Sequence, residues 1–444
     1  MAQTIVALAT PPGIGGLAVI RISGEKSFEI VDKIFLGRTK AQDAPSHTVH
    51  YGKIHRNGEV VDTVTVSIFC KPHSYTGEDV AEISCHGGMI VANEIIDLCI
   101  EHGAEIAKPG EFTRRAFING KLDLSQVEAV ADIIHSTTRL AAQTASRQLL
   151  GNFKKRLDDI IQNLMNIAGL LELELDFAEE EIELVEKHQI VEKLENVVQY
   201  CSSLAASHRS AEILRNGFYV GIAGFPNSGK STLFNTLLQK HRAIVSPIPG
   251  TTRDYIEESL YIGDIHVRLV DTAGVRSTDD VIEVEGIRLV ENVLQMSDLI
   301  LVINDATKGV HHSDELAEGI RRKHPDREVL VVQNKVDLLQ DGSVEGISAK
   351  HNLGIENLKE LIAAKAKVSF SREQDALINQ RQAKLLAEAA NILQNAIGSI
   401  KSGFDNVAIA IDVRQAAEKL GEITGKKWSE DVLNQIFSNF CIGK

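Results

Sequence analysis

The sequence predicts a multidomain α/β protein, because three regions of different pattern follow one another. β-Branched runs broken by glycine and proline come first, a long helical periodicity follows, and strands alternating with helices come later. A chain of 444 residues also exceeds the usual size of one compact domain. We predict a small α+β domain over 1–120, a helical domain in two halves over 121–215 and 371–444, and a doubly wound α/β domain over 216–370.

The N-terminal region has the pattern of a small sheet. Ile5–Leu8, Leu17–Ile22 and Val60–Phe69 are rich in β-branched residues, and PPG, NG and HGG turn signals separate them. A helical stretch over Asn93–Glu101 interrupts these runs. We therefore expect strands and helices in one α+β domain.

The next region has the periodicity of a long amphipathic helix. Apolar residues recur at three- and four-residue steps at Leu157, Ile160, Ile161, Leu164, Ala168, Leu171 and Leu175. An acidic cluster within 179–183 indicates a helix end or a solvated bend. Helical pattern returns over Lys384–Ile400 and Val407–Leu420. We expect the α/β domain to be inserted into a helical domain whose halves bury faces that neither could bury alone.

Composition limits the classes of function. A formal charge of -14 argues against a chain that coats nucleic acid by bulk charge, although a local basic patch or a basic partner could still contact RNA. Five scattered cysteines without a CxxC pair fit reduced thiols. No signal peptide and no apolar stretch of about 20 residues is visible, so we expect a cytoplasmic protein without a membrane segment.

A phosphate-binding loop is the first motif that carries chemistry. Tyr219–Ala223 has the pattern of a buried strand, the sequence GFPNSGKS follows it, and a helix is expected over Thr232–Leu238. Backbone N–H groups of such a loop surround phosphates, Lys230 reaches the β- and γ-phosphates, and the Ser231 hydroxyl ligates Mg²⁺. The nucleotide-binding candidates here are Asn227, Ser228, Gly229, Lys230, Ser231 and Thr232.

Two further segments fit loops that respond to the γ-phosphate. The sequence PGTTRD begins at Pro249, and Thr252 is our candidate for closing on Mg²⁺. After the strand predicted at His266–Val270, Asp271 can hold the outer shell of the metal, and the Gly274 N–H can contact the γ-phosphate. The candidates in these segments are Ser246, Pro247, Ile248, Pro249, Gly250, Thr251, Thr252, Asp271, Thr272, Ala273 and Gly274.

A third group of motifs selects the base. Asn334, Lys335 and Asp337 follow the strand predicted at Val329–Gln333. The Asp337 carboxylate can accept from guanine N1–H and from the exocyclic N2 amine, a pair of donors that adenine lacks, so GTP is preferred to ATP. Ser348, Ala349 and Lys350 supply a backbone contact to the guanine oxygen. The ordered motifs predict a GTP hydrolase.

The α/β region resembles a Ras-like P-loop GTPase domain of the translation-factor-related class, with one departure. Such domains use a glutamine after DxxG to orient the attacking water, and Val275 stands there. Glu283 is our candidate for this catalytic role. On residue type alone, the favoured interpretation of Glu283 is an acidic residue beside a helix N-terminus, stabilised by the helix dipole.

The whole chain resembles the MnmE (TrmE) family of tRNA modification GTPases. The resemblance rests on TPPG at Thr10, GG at Gly15, RISG at Arg21, YTGED at Tyr75, HGG at His86, PGEFT at Pro109, NGKLDL at Asn119 and the terminal CIGK. It implies modification of carbon 5 of the wobble uridine in certain tRNAs, by aminomethyl or carboxymethylaminomethyl addition. It also implies the FAD-containing partner MnmG, in a heterotetramer or larger complex.

The resemblance also implies ligands and residue roles. A tetrahydrofolate derivative, in the 5,10-methylene or 5-formyl form, is expected at Arg21, Glu82, Lys121 and Lys444. A potassium ion replaces the arginine finger, at Asn227, Ser246, Ile248 and Thr251. The water-orienting glutamate falls on Glu283, and the chain is expected to form a homodimer through its N-terminal domain.

Several alternatives stay open at this stage. A ribosome-assembly GTPase would share the P-loop and the GTTRD segment, and a non-catalytic GTP switch or scaffold would share most of the nucleotide motifs. Cys441 fits a catalytic thiol, a folate-pocket residue or a small apolar residue. The Cys85–His86 pair lacks the ligand count of a metal site, so a turn at a strand end is favoured there.

Overall fold

The computed structural model describes residues 3–176, 187–238, 256–271, 291–339, 344–368, 376–438 and 440–444. The chain divides into two compact units. The first unit comprises Met1–Ala131, Arg147–Cys201 and Leu385–Lys444, and the second comprises Asp132–Ser146 and Ser202–Lys384. Each unit is therefore assembled from segments that are distant in sequence.

A largely antiparallel sheet forms the N-terminal part of the first unit. Its described strands lie in the order β3-β4-β5-β6-β2-β1-β7, and β7 runs parallel to β1. The strands are β1 (Ile5–Leu8), β2 (Leu17–Ser23), β3 (Phe35–Gly37), β4 (Thr48–Arg56), β5 (Glu59–Phe69), β6 (Val80–His86) and β7 (Glu105–Ile106). Three helices accompany this sheet, α1 (Ser27–Ile34), α2 (Met89–Glu101) and α3 (Glu111–Ile118).

Alternation along β2 decides what each face of this sheet presents. Ile20 and Ile22 are fully buried and join the apolar core that contains α1 and α2. Arg21, between them, faces the opposite side, because successive side chains of a strand point to opposite faces. Its register partners are Ala7 on β1 and Glu82 on β6. An arginine and a glutamate are therefore neighbours on this face.

Further helices, short and long, continue the chain. They are α4 (Leu124–His135), α5 (Arg139–Leu149), α6 (Asn152–Asp176), α7 (Lys187–Ala206), α8 (His208–Asn216), α12 (Gln380–Lys401), α13 (Asn406–Thr424) and α14 (Glu430–Phe437). The periodic face predicted on α6 is buried at Leu157, Ile160, Leu164, Ala168 and Leu171, whereas Ile161 is half-buried and the side chain of Leu175 lies outside the described residues.

The two halves of the helical region meet within the first unit. α13 packs along α6, and Arg414 pairs with Glu172 at 2.7 Å between Nη2 and Oε2. Lys401 pairs with Glu195 at 2.9 Å between Nζ and Oε1. Segments from before and after the α/β domain therefore contribute to one packed body, as the inserted arrangement predicts.

The second unit is built around the expected doubly wound sheet. Its described strands lie in the order β12-β11-β8-β10-β9, all parallel to their neighbours except β9. They are β8 (Phe218–Ala223), β9 (Ile256–Ile262), β10 (Ile265–Asp271), β11 (Leu299–Asp305) and β12 (Glu328–Asn334). The accompanying helices include α9 (Lys230–Leu238), α10 (Asp314–Lys323) and α11 (Ile355–Val368).

The predicted fold class is confirmed by these two sheets and the helical region. Every residue of β11 is buried, as expected for a central parallel strand covered on both faces. The acidic cluster within 179–183 lies outside the described residues, and the predicted domain boundaries stay a prediction. Within the described part of the chain, no helix combines the length and apolar character needed to cross a bilayer.

Candidate functional site

The nucleotide motifs of the second unit converge at one edge of its sheet. Loop 224–230 follows β8, and Asp271, Asp305 and Asn334 are the last residues of β10, β11 and β12. Because these strands are parallel neighbours, their carboxyl ends meet at the same edge, where open α/β sheets bind ligands. Parallel register therefore gathers residues that lie more than a hundred positions apart in sequence.

The phosphate-binding loop needs glycine at two positions. Gly224 and Gly229 have φ angles of 144° and 98°, and Asn227 between them has a φ of 62°. A Cβ atom on Gly224 would lie 2.6 Å from the Ile303 carbonyl oxygen, and one on Gly229 would collide with the Asn334 amide nitrogen. Larger residues would thus push the loop off the sheet, so its backbone shape is fixed by the sequence.

Lys230, Ser228 and Ser231 bring an ammonium and two hydroxyl groups to this loop and to the start of α9. The Lys230 ammonium donates to the Gly224 and Phe225 carbonyls, both at 2.9 Å. Within the described part of the chain, the buried Ser228 Oγ has no hydrogen-bond partner. The Ser231 hydroxyl donates to the buried Asp271 Oδ2 at 3.4 Å. A hydroxyl beside a carboxylate is the oxygen-rich donor set that Mg²⁺ prefers.

Asn334 joins the phosphate loop to the segment expected to bind the base. Its Nδ2 donates to the Ser228 carbonyl at 2.8 Å, and its Oδ1 accepts from the Ala349 backbone N–H at 3.0 Å. Asn334 and Ser348 are buried. One amide side chain therefore holds both ends of the candidate site in register.

Asp337 presents an ionised carboxylate beside that junction. A hydrogen bond from the Ser348 side chain lowers the pKa of Asp337, and the nearby His351 and Lys350 lower it further. The Asp337 side chain keeps 17% of its surface exposed, and its Oδ2 lies 3.5 Å from His351 Nε2. A carboxylate that is charged and reachable can accept two N–H groups from a planar base.

Lys335 fills the space between the base segment and the loop. Its ammonium donates to the Asn227 carbonyl at 2.7 Å and pairs with Asp305 Oδ2 at 2.6 Å. Asp305 belongs to none of the sequence motifs, nor does Thr307, whose hydroxyl donates to the Asp305 carboxylate. In the sequence, Asn-Asp-Ala-Thr directly after the apolar run LILVI was the available signal.

A second polar group lies in the N-terminal part of the first unit. Arg21 Nε pairs with Glu82 Oε1 at 2.8 Å, and Arg21 Nη1 donates to the Gly443 carbonyl at 3.3 Å. The guanidinium lies 5.2 Å from the centre of the Tyr75 ring and 5.6 Å from that of Phe112. Aromatic faces and one carboxylate therefore orient the arginine.

The C-terminal tail completes this group. The Lys444 carbonyl accepts from the Phe112 backbone N–H at 3.2 Å, and a Cβ atom on Gly443 would clash with the Leu8 backbone. Burial lowers the pKa of Lys444, and the positive charge of Arg21 lowers it further, while Glu82 opposes both effects. The tail thus brings a lysine close to an ion pair whose arginine is more than 400 positions away in sequence.

Comparison with known proteins decides the family. The model of the TrmE N-terminus, described as a GTP-binding protein, matches residues 4–121, and the model of the MnmE helical domain matches 124–441. The tRNA modification GTPase MnmE of Acetivibrio thermocellus is 39% identical over 459 aligned residues, covering 100% of this chain and 99% of that protein. The chain belongs to the MnmE family. The family protein of Flavobacterium johnsoniae is 40% identical over 462 residues, again with 100% and 99% coverage.

Membership of the MnmE family confirms the predicted enzyme class, a GTPase of tRNA modification. It also favours this class over the ribosome-assembly GTPase and the non-catalytic scaffold. The relatives match over essentially their full length, so the resemblance covers the N-terminal domain and the tail as well as the GTPase domain.

Of the four residues expected at the MnmE folate site, Arg21, Glu82 and Lys444 come together. Lys121 instead donates to the Pro72 carbonyl at 3.0 Å. Its side chain also packs near Gly77, and Tyr75 of the same loop lies against the Arg21 guanidinium. Lys121 is therefore linked to the group through this loop.

Part of the predicted GTPase machinery lies outside the described residues. This applies to Ser246, Pro247, Ile248, Pro249, Gly250, Thr251, Thr252, Thr272, Ala273, Gly274, Val275 and Glu283. The roles expected for them stay predictions.

The surroundings of Cys441 and His86 bear on the roles left open for them. Cys441 is exposed, whereas burial raises the pKa of Cys99 and Cys201 to about 12. His86 Nδ1 pairs with Asp62 Oδ1 at 2.7 Å. Within the described ranges, no group of three or more His, Cys, Asp or Glu residues could hold a metal ion. His86 is the last residue of β6 and is held by Asp62, in line with the strand end expected at this position.

Proposed function

We propose that this chain hydrolyses GTP at the edge of the second-unit sheet and uses the reaction to drive tRNA modification. The product would be an aminomethyl or carboxymethylaminomethyl group on carbon 5 of the wobble uridine. One observation carries the nucleotide part of this proposal. The Asn334 side chain is hydrogen-bonded both to the Ser228 carbonyl of the phosphate loop and to the Ala349 backbone N–H, in the segment that follows Asp337. Phosphate and base motifs so joined suit one guanosine nucleotide.

The proposed nucleotide contacts divide between phosphate and base. Backbone N–H groups of 227–232 would bind the phosphates. The Lys230 ammonium would give up its hydrogen bonds to the Gly224 and Phe225 carbonyls and donate to phosphate oxygens instead. Asp337 accepts from the guanine edge, while Ala349 and Lys350 lie at the guanine oxygen. These contacts explain selection of GTP, because adenine leaves the Asp337 carboxylate without its two donors.

A magnesium ion fits the donor set at Ser231 and Asp271. Ser231 and, from the undescribed segment, Thr252 would hold the ion, which supplies charge neutralisation at the phosphate oxygens. Asp271 is buried and accepts from Ser231, so its carboxylate orients that hydroxyl. This assignment needs only oxygen ligands, as Mg²⁺ requires.

We propose a potassium ion as the second cation. Asn227, Ser246, Ile248 and Thr251 would hold it, where it would neutralise charge developing on the leaving group. Support from the described residues comes from Asn227, whose backbone is held in the left-handed region with its carbonyl bound to Lys335. Glu283 would orient the attacking water, since Val275 cannot.

A tetrahydrofolate derivative is proposed for the N-terminal group. Arg21 and Lys444 offer positive charge for carboxylates, and Glu82 can accept from an amino-pyrimidine edge. Tyr75 and Phe112 add aromatic surface beside Arg21. A ligand that combines a flat heterocycle with a carboxylate tail matches these groups.

The proposed partners are a second copy of this chain, the flavoprotein MnmG, which carries FAD, and tRNA. Homodimerisation is expected through the N-terminal domain, and MnmG would join in a heterotetramer or larger complex. The net charge of -14 has the same sign as the RNA phosphates, so the chain as a whole repels RNA. A basic surface on the partner would therefore supply part of the contact with tRNA.

Reconstitution tests the whole proposal. The full chain is combined with the flavoprotein partner, tRNA, folate, GTP, and ammonium or glycine, and the wobble nucleoside is analysed by mass spectrometry. We expect the modified uridine only when GTP is present and hydrolysable. Modification that proceeds equally with a non-hydrolysable analogue would contradict the coupling between hydrolysis and modification.

Cation exchange tests the potassium part separately. We expect GTP turnover to be faster in potassium than in sodium buffer at equal ionic strength. Equal rates in the two buffers would remove potassium from the mechanism and leave the GTPase assignment standing.

A further inference from the structure

Asp305 is a buried carboxylate that lies next to the nucleotide site and outside its sequence motifs. It is the last residue of β11 and pairs in parallel register with Asn334, the last residue of β12. Only 8% of its side-chain surface is exposed. A carboxylate buried to this extent needs charged or hydrogen-bonding partners.

Three donors hold this carboxylate in one orientation. Oδ2 accepts from the Lys335 ammonium at 2.6 Å. Oδ1 accepts from the Thr307 backbone N–H at 3.2 Å and from its hydroxyl at 2.7 Å. Burial alone would raise the pKa of Asp305, but these hydrogen bonds outweigh it and lower the pKa. Asp305 is therefore an ionised anchor at neutral pH.

Lys335 connects Asp305 to the phosphate loop, because its ammonium contacts both. The same ammonium that pairs with Asp305 donates to the Asn227 carbonyl at 2.7 Å. Asn227 and Lys335 both occupy the left-handed backbone region, with φ angles of 62° and 65°. This region is unfavourable for most L-residues, so surrounding contacts must hold each of them there.

We propose that Asp305 is a positioning residue of the nucleotide site. By holding Lys335 against the Asn227 carbonyl, it couples the guanine end of the site to the loop residue expected to bind the monovalent cation. The inference rests on the proposed function, because the guanine and cation roles belong to that proposal. It goes further by predicting that one buried carboxylate controls both.

Loss of the Asp305 charge has a defined physical consequence. An asparagine keeps the shape of the side chain and removes the counter-ion of Lys335, so the half-exposed ammonium can turn to water. The Asn227 carbonyl then loses its donor, and the left-handed turn of the loop loses its support. Guanosine nucleotide affinity and the response to potassium should therefore weaken together.

The test compares Asp305→Asn with Asp298→Asn in the full chain. Asp298 precedes the first residue of β11, so the two carboxylates lie at opposite ends of one strand. Asp298 is similarly buried, at 9% side-chain exposure, and accepts from the Tyr219 N–H at 2.9 Å and from Arg209. The control thus removes a matched carboxylate away from the nucleotide motifs.

Three quantities are measured for each variant. They are the affinity for fluorescent GDP, the potassium concentration that gives half-maximal GTP turnover, and the urea midpoint of unfolding. For Asp305→Asn we expect about tenfold weaker GDP binding and a potassium requirement raised several-fold. Asp298→Asn should change neither the GDP affinity nor the potassium requirement, even if it lowers the urea midpoint of unfolding. A potassium requirement that is identical in Asp305→Asn and wild type would overturn the coupling.

A double-mutant cycle tests whether Asp305 acts through Lys335. In a Lys335→Met background, Asp305→Asn should change GDP affinity by less than about twofold, because the partner is already gone. The same tenfold loss in both backgrounds would refute the positioning role.

A gentler variant guards against misfolding of Asp305→Asn. Thr307→Val removes one hydrogen bond to Asp305 Oδ1 and should weaken GDP binding about threefold, a smaller loss than in Asp305→Asn.

Wild-type GTP turnover that is equal in sodium and potassium would contradict the proposed role of potassium, and the proposed coupling would be contradicted as well.

Discussion

The two candidate sites of this chain are built from different kinds of group. The nucleotide site presents backbone amides and carbonyls whose positions are set by glycines and by side chains such as Asn334 and Lys335. The N-terminal site presents side chains directly, through the ion pair of Arg21 and Glu82. Backbone geometry suits a triphosphate, whereas separate charged side chains suit a ligand with several distinct functional groups.

The comparison also shows why one site stands out in sequence and the other does not. The phosphate loop is a contiguous motif, so spacing alone predicts it. Arg21 meets Glu82 through strand register and meets Gly443 through the fold of the tail. Separate tests on the two sites should therefore give separate losses, and each site supplies the control for the other.

The largest effect is expected from Asp337→Asn. The amide presents an N–H where guanine offers N1–H and an amine, so GTP affinity should fall by about two orders of magnitude or more, and xanthosine triphosphate should become the preferred nucleotide. Competition of each triphosphate against a fluorescent nucleotide measures this preference. Folate binding should be unchanged. Unaltered base selectivity would mean that the base contact is misassigned.

A smaller effect is expected from Arg21→Gln in the N-terminal site. Removing the guanidinium removes a partner of Glu82 and a positive charge for the ligand, so folate affinity should fall about tenfold to a hundredfold. Calorimetry with 5-formyltetrahydrofolate and the intact protein measures it, and GTP affinity provides the control. Full affinity in this variant would place the folate elsewhere.

A third test probes stability within the second unit. His266 on β10 is buried, and burial together with the Arg268 charge lowers its pKa to about 4. Below its ordinary pKa of 6.5 the unfolded chain takes up a proton that the folded chain does not, so stability falls as the pH drops from 6.5 toward 4. At pH 5 this amounts to about 2 kcal/mol.

The measurement is urea unfolding at pH 7 and at pH 5. The variant His266→Gln should lose part of the pH dependence seen in wild type. His311→Gln supplies the matched control, since the His311 side chain is 84% exposed. Identical pH dependence in wild type and His266→Gln would contradict the assignment of this buried neutral histidine.

The smallest effect concerns the thiols of the first unit. Cys441 is exposed, whereas Cys99 and Cys201 are buried with pKa values raised to about 12, so a neutral-pH alkylating reagent should modify Cys441 first. Peptide mass spectrometry after brief treatment reports the order. If Cys441→Ser also abolishes modification of the tRNA in the reconstituted system while folate binding stays normal, a catalytic thiol is favoured over a pocket residue.

Much of the fold was predictable because its signals are local. Strand β8, the loop that follows it and the periodic face of α6 are all visible as patterns in a short, continuous stretch of sequence. β4 and β6 were not predicted as strands, since their polar alternation and the turns around them give a weaker signal. Their place in the sheet depends on pairing with distant partners.

The sites divide in the same way. Motif order predicted Lys230, Asn334 and Asp337, but no local pattern shows that Asp305 lies against Lys335. Strand register across β11 and β12 creates that contact. Likewise, the tail contact between Gly443 and Arg21 arises from tertiary folding, and only the family resemblance placed Lys444 near the N-terminal site.

The most direct test of the central claim is equilibrium binding of labelled GTP to the full chain with magnesium. We predict saturable binding that GDP displaces and ATP does not, with a loss of at least about a hundredfold in Lys230→Ala and none in the exposed control Lys323→Ala. No retained guanosine nucleotide at millimolar concentration, or equal binding by Lys230→Ala and wild type, would contradict the account.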